Sequence, residues 1–228
     1  MARLLYELCG ADETQLFSPH CWKARMALNH KGLDFETVPT PFTKVATMEG
    51  GTSRRIPVLR DGDTVVEESY EIALYLDRQY PDAPGLFDGN EELTKFVIQW
   101  SQATIHPEVV KLCLMDIHDA LAPADQEHFR RTREPLFKTT LEEFDAKFPK
   151  DNKGLNRALV PLENRLKEAD YLGGEKPIFA DYVVFGPLQW LRTVHKGGVM
   201  TDLPGVRTWF ERLLDMYEGD ARGVKAAA

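Results

Sequence analysis

The sequence predicts a small α/β unit followed by an all-helical unit. Three observations carry that reading. Short β-rich runs and helix-period runs alternate through residues 1–80. An Asp61-Gly62 turn joins two of those runs into a hairpin. Beyond residue 90 the apolar residues recur with helical spacing only.

The elements follow in order. "ARLLYELC" alternates loosely and is short, so it reads as a strand. The loop "GADETQLF" leads to Ser18 at an N-cap position, with Pro19 at the first helical position. That helix runs to about His30, and Gly32 closes it. "DFETV" is a second strand, and "IPVLRDGDTVVEES" is the hairpin. In "ESYEIALYLDRQYP" the apolar residues Ile72, Ala73 and Leu76 mark a helix that Pro81 stops. "PDAPGLFDGNEE" has the composition of a linker. Helical periodicity then covers 91–118, 123–147 and 154–169, with breaks expected at Pro107, Pro135 and Pro149. "FADYVVFGPLQWL", residues 179–191, is apolar nearly all round, as in a helix at the centre of a bundle, and Pro187 is expected to bend it. Val206, Trp209, Phe210, Leu213, Leu214 and Tyr217 form one apolar stripe over 204–217. The expected domains are therefore 1–80 and 91–228, joined by a linker at 81–90.

Composition excludes several functions. The chain has 228 residues and a net charge of −8, from 36 acidic and 28 basic side chains. That balance argues against a nucleic-acid partner, whose phosphates demand excess positive charge. The densest basic run, "HFRRTRE" at 128–134, reads as a solvated helix face. Cys9, Cys21 and Cys113 fit neither a disulfide framework nor a zinc site, which suits a reducing, cytoplasmic compartment. No window approaches the ~20 apolar residues of a membrane helix, so no membrane association is expected. The six histidines lack the spacing of a metal site, and no phosphate loop or G-x-S-x-G elbow is present.

Four places could carry chemistry. Ser18 caps a helix, and a helix N-terminus favours anions. A hydroxyl there can also donate to a bound thiolate and so activate a foreign thiol. Cys21 lies in the same first turn, where thiol pKa values are lowered. It also shares a face with Ala24 and Leu28, which places it in the core as a small hydrophobe. Pro57 opens the hairpin; a cis bond there would present the Ile56 backbone to an extended ligand. Glu68 and Ser69 precede the next helix, with Ser69 as its expected N-cap. A carboxylate beside a helix start suits a zwitterionic amino acid. Asp181, in the first turn of the apolar helix, is read as a buried cap.

Taken together, "SPHCWKARMALNHKG" after the first strand, "RRIPVL" entering the hairpin, "EESYEIALYLDRQYPD" and "FADY" resemble the glutathione transferase superfamily. The resemblance covers nearly the whole chain. It implies a thioredoxin-like N-terminal domain, a helical C-terminal domain and a homodimer. It implies glutathione as co-substrate, with Ser18 stabilising its thiolate and the Ile56 backbone, before a cis Pro57, pairing with the cysteinyl unit. Glu68 and Ser69 would hold the γ-glutamyl end, and Arg55 or Lys44 the glycyl carboxylate. A small aromatic electrophile would lie between the domains, walled by His20, Trp100, His106, Met115 and Trp190. "SPHCWKARMALNHKGLDFETVP" and "YPDAPGLFDG" look most like the bacterial lignin β-etherases and related fungal transferases, which implies attack of the thiolate on β-aryl ethers. Ile178 departs from the family, which usually places a polar cap before "FAD". Three rival activities follow. One is a glutathione or aromatic-ligand binding protein without turnover. Another is a glutathione-dependent isomerase of the maleylacetoacetate type, suggested by Trp22 with "KARMAL", although His20 stands where that class has cysteine. The third is a thiol-disulfide reductase working through Cys21. Reductases of dehydroascorbate type need a cysteine where Ser18 stands.

Overall fold

The computed structural model describes residues 3–51, 53, 55–197 and 201–227. Four strands form one mixed sheet in the order β2-β1-β3-β4. β1 (Leu4–Leu8) runs parallel to β2 (Glu36–Thr40) and antiparallel to β3 (Val58–Asp61). β4 (Thr64–Glu67) completes the predicted hairpin, with Gly62 supplying the positive φ (61°) of the turn. Parallel neighbours need a crossover, and α1 (Pro19–His30) provides it. α2 (Ser69–Gln79) follows the hairpin.

α1 is buried on almost every side. Cys21, Trp22, Ala24, Met26, Ala27 and Leu28 are all core residues. It packs between the sheet and α8 (Phe179–Val194), the apolar helix that the sequence places at the bundle centre. Their close approach depends on Gly186, because a Cβ there would sit 2.3 Å from the Pro19 carbonyl oxygen. A buried ion-pair set adds a tether. Arg25 Nη1 donates to the fully buried Glu7 at 2.6 Å, and Arg25 Nε donates to Asp220 at 2.8 Å.

The helical part differs from expectation in its breaks. α3 (Glu91–Trp100) passes through a π-helical turn, Ser101–Ile105, straight into α4 (His106–Ala120). Pro107 therefore does not end a helix. The wider turn, with His106 N–H donating to Ser101 O, absorbs the donor that proline lacks. α5 (Pro123–Phe137) contains Pro135 in its last turn. α6 (Leu141–Ala146) starts with a Thr140–Glu143 capping box, and α7 (Lys153–Arg165) follows. In α9 (Pro204–Gly223) the chain reverses over Met216–Gly219, where Tyr217, Glu218 and Gly219 have positive φ. Tyr217 thus leaves the predicted stripe; its hydroxyl instead meets that of Tyr182 at 2.5 Å.

Ile178 offers no capping oxygen, and Asp181 replaces it. Its carboxylate accepts from the N–H groups of Ile178 (3.0 Å) and Leu172 (2.8 Å) and from Trp209 Nε1 (2.9 Å). One buried side chain so joins the start of α8, the preceding loop and α9, as a cap rather than a catalyst.

Candidate active site

Ser18 sits where the chain leaves the sheet and enters α1. Its extended backbone (φ −60°, ψ 124°) makes it the N-cap, and Oγ accepts from Cys21 N–H at 3.3 Å. The loop before it is pinned by Trp22 Nε1, which donates to Leu16 O at 3.0 Å. Ser18 is 4% exposed, so its hydroxyl works in a largely dry setting at the positive end of a helix. Cys21 faces the other way. Leu8 N–H donates to its sulfur at 3.5 Å, and burial pushes the thiol up to about 12. A thiol held protonated is a poor nucleophile, so the core reading of Cys21 stands.

The Ile56-Pro57 bond is cis. Pro57 O accepts from Glu68 N–H at 3.2 Å, which fastens the start of the hairpin to the start of α2. Glu68, not Ser69, occupies the N-cap of α2. The reason is local: Glu68 takes a positive φ of 69°, and its carbonyl already accepts from Ile72 N–H at 2.9 Å. Ser69 is therefore the first helical residue and is buried. Arg55 Nη1 donates to Glu68 Oε1 at 2.6 Å, so Arg55 stands at the Glu68 end of the site. Both side chains are well exposed, and such a pair is worth little in stability.

Ser18, Arg55, Ile56 and Glu68 open on one cleft of about 650 Å³ between the α/β and helical parts, whereas Pro57 and Ser69 do not line it. Ser18, His20, Ile56 and Glu68 form one side. His106, Val110, Leu114 and Ile117 face it from α4, spaced as one helical stripe. Met115 is one position off that stripe and packs into the core instead. Trp100 also packs against the core, before the π-turn. Lys44 is exposed and does not line the cleft. Trp190 does line it, from α8. Of the five side chains expected to wall the electrophile site, His20, His106 and Trp190 are brought together. His20 stacks on His106 with centroids 5.2 Å apart, and His106 lies 5.5 Å from Trp190.

Three features were not visible in the sequence. Phe42, Phe129 and Phe137 give the far side of the cleft an aromatic wall. Arg133 lines the cleft over Phe129 and Phe42, at 5.3 and 5.9 Å from their centroids. The "HFRRTRE" run is therefore not simply a solvated face; burial lowers the Arg133 pKa, and His128 stacks on Phe42. Lys23 is the largest surprise. It is 2% exposed, and burial lowers its pKa to about 8. Its side chain's only hydrogen bond among the described residues joins Nζ to His20 Nδ1 at 3.3 Å. Lysine is almost never so buried without a carboxylate, which is why pattern reading missed it.

Sequence profiles of two families match this chain. The glutathione S-transferase C-terminal domain covers residues 93–209, and the glutathione S-transferase N-terminal domain covers residues 14–84. The chain belongs to the glutathione S-transferase family. Among curated relatives, it is 36% identical to glutathione S-transferase Z1 of Arabidopsis thaliana over 86 residues, which is 33% of this chain and only 38% of that relative. It is 26% identical to the glutathione S-transferase-like protein ustS of Aspergillus flavus over 209 residues, covering 76% of this chain and 74% of the relative. Among solved structures, glutathione transferase GSTFuA3 from Phanerochaete chrysosporium matches with a TM-score of 0.79 at 23% identity, over 93% of this chain and 96% of that one. The glutathione S-transferase CsGST63524 of Ceriporiopsis subvermispora, solved in complex with glutathione, matches with a TM-score of 0.79 at 22% identity, over 96% and 97% of the two chains. At such identities the likeness concerns the fold: a thioredoxin-like N-terminal part and an all-helical C-terminal part, as the sequence predicts.

Among the described residues no cluster of His, Cys, Asp or Glu could hold a metal ion, and no helix is long and apolar enough to cross a membrane.

Proposed function

We propose that this family member binds glutathione in the Ser18 cleft and transfers its sulfur to an aromatic electrophile. The observation that carries the reading is the meeting of a capped helix start at Ser18, a cis Ile56-Pro57 and a carboxylate at Glu68 on one cleft. In this reading the Ser18 hydroxyl donates to the thiolate while the α1 N-terminus adds its partial charge. Ser18 lowers the thiol pKa and aims the sulfur; it forms no covalent bond. The Ile56 backbone pairs with the cysteinyl unit. Glu68 takes the γ-glutamyl ammonium, in place of the exposed Arg55 cation that it pairs with here. Ser69, at the start of α2, stands beside Glu68 for the same γ-glutamyl end; Arg55, which lines the cleft, is favoured over Lys44, which does not, for the glycyl carboxylate.

The aromatic wall of Phe42, Phe129 and Phe137 suits a ring-bearing electrophile. Within that class we favour β-aryl ethers, whose cleavage releases a phenol. We further infer a homodimer, because Leu93 and Phe96 of α3 and Val65 of β4 are large apolar side chains left 57%, 68% and 40% exposed. Three buried free thiols suit a reducing, cytoplasmic setting.

The test is a steady-state assay with glutathione and a panel of aryl ethers and aryl or benzyl halides. Turnover of any member supports the transferase reading. Retention on immobilised glutathione with no turnover of any electrophile would leave a binding protein in its place.

A further inference from the structure

The Lys23–His20 contact fixes a proton. An ammonium has three N–H donors and no lone pair, so it can only donate. At 3.3 Å from Lys23 Nζ, His20 Nδ1 must accept. A neutral imidazole that accepts at Nδ1 carries its proton on Nε2. No hydrogen bond joins His20 Nε2 to another described residue, and His20 lines the cleft beside Ser18.

The neighbourhood keeps the two groups in those states. Burial, then the Lys23 charge, then His106 hold His20 well below its ordinary pKa, so the ring is neutral near pH 7. Lys23, though lowered by burial to about 8, is still mostly charged there, with distant Glu68 favouring the charge. Beside this pair, His106 Nδ1 and Trp190 Nε1 are buried polar atoms without a partner among the described residues. Buried polar atoms seldom stay unpaired, so the His20 side of the cleft carries unused hydrogen-bonding capacity beneath its surface. The opposite side is mainly aromatic, with Arg133 and His128 packed against its Phe42 and Phe129 rings.

We propose that His20 Nε2–H is a hydrogen-bond donor to the leaving oxygen of the electrophile, and that Lys23 is the positioning residue that fixes the proton on that nitrogen. This rests on the transferase reading above and adds the class of leaving group, an aryloxide. In the step, the glutathione thiolate forms a bond to carbon while the carbon–oxygen bond breaks. The bonding pair goes to oxygen, and the negative charge that develops there is met by the fixed Nε2–H. No proton is transferred; the aryloxide departs as the anion or takes a proton from water. A donor preset toward developing charge needs no reorganisation as the bond breaks.

Two measurements test this on the whole 228-residue chain. The first is nitrogen-15 NMR of histidine-labelled protein near pH 7, which reads the tautomer without any turnover. The proton is expected on Nε2 of His20 in the wild type and in Lys23→Arg, which still can only donate. Lys23→Met is expected to release the preference. A proton on Nδ1 in the wild type overturns the proposal. The second compares 2-(4-nitrophenoxy)acetophenone with 2-bromoacetophenone, which differ only in the leaving group. Lys23→Met and His20→Phe are expected to lower the ratio of kcat values, aryl ether over bromide, by roughly 10- to 100-fold. Lys23→Arg should keep the ratio within about threefold. An unchanged ratio in Lys23→Met and His20→Phe overturns the proposal, as does wild-type turnover of the bromide alone. Turnover of neither compound by the wild type, nor of any other electrophile, sinks the transferase reading and this role with it, while the NMR result still reports whether Lys23 sets the tautomer.

Discussion

Replacing Ser18 with alanine separates two roles of one hydroxyl. As the N-cap of α1 it accepts a hydrogen bond from Cys21 N–H at 3.3 Å. Losing such a cap costs about 1 kcal/mol. For a chain of this length that lowers Tm by about 2–4 °C, so the variant stays folded. As a donor to thiolate, the same hydroxyl makes a hydrogen bond to a charged partner, worth about 1.5–3 kcal/mol. At about 1.4 kcal/mol per unit, the thiol pKa of bound glutathione should rise by about 1–2 units in the variant. Turnover below that pKa should then fall by about 10- to 100-fold. Affinity for glutathione should change little, because the proposed Ile56 and Glu68 contacts remain. The assay is ultraviolet absorbance of the thiolate in the enzyme–glutathione complex, titrated from acid to alkaline pH. A thiol pKa equal in wild type and Ser18→Ala would refute the reasoning, whatever the turnover.

Further outcomes follow from the same structure. Glu68→Gln should raise KM for glutathione about tenfold with kcat nearly unchanged, because an ammonium contact remote from sulfur is uniform binding; an equal fall in kcat would place Glu68 in the chemistry instead. Asp181→Ala leaves three buried donors unpaired, from Ile178, Leu172 and Trp209. At about 1–3 kcal/mol per donor, urea unfolding should show a loss of at least about 3 kcal/mol, and a loss under 1 would contradict the cap role. Acid should destabilise the fold through His106, whose pKa burial lowers to about 4. The unfolded ring titrates near 6.5, so between about 6.5 and 4 the unfolded state binds more protons. Stability from this group is complete above about 6.5 and falls as pH drops toward 4, by at most about 3 kcal/mol. His106→Phe should flatten that part of a stability-against-pH curve; an unaltered curve would assign the acid sensitivity elsewhere.

The fold was legible because its signals are local. Ser18-Pro19 starts α1, Gly32 follows its end, and the Asp61-Gly62 turn joins β3 to β4, each by backbone chemistry that single residues report. The misplaced break at Pro107 has a tertiary cause. A π-turn can absorb the missing donor only because α4 then packs on α8 and the neighbouring turn. Ser69 was mistaken for a cap because serine is the usual one, whereas the positive φ of Glu68 carries no composition signal. The site was legible on its α/β side, where motif order follows chain order. Its helical side was legible only in part: His106 and Trp190 line the cleft as expected, whereas Arg133, Phe129 and Phe137 reach it from a helix whose sequence looks solvated. Lys23 escaped notice for the same reason, a charged residue type at a buried position.

In the proposed reaction the reactive sulfur belongs to glutathione and lies against Ser18. The direct measurement is a crystal structure of the glutathione complex. It should place the sulfur within about 3.5 Å of Ser18 Oγ, with the cysteinyl backbone on Ile56 and the γ-glutamyl ammonium on Glu68. Sulfur bonded to Cys21, or glutathione bound outside the cleft that Ser18 opens on, would contradict it.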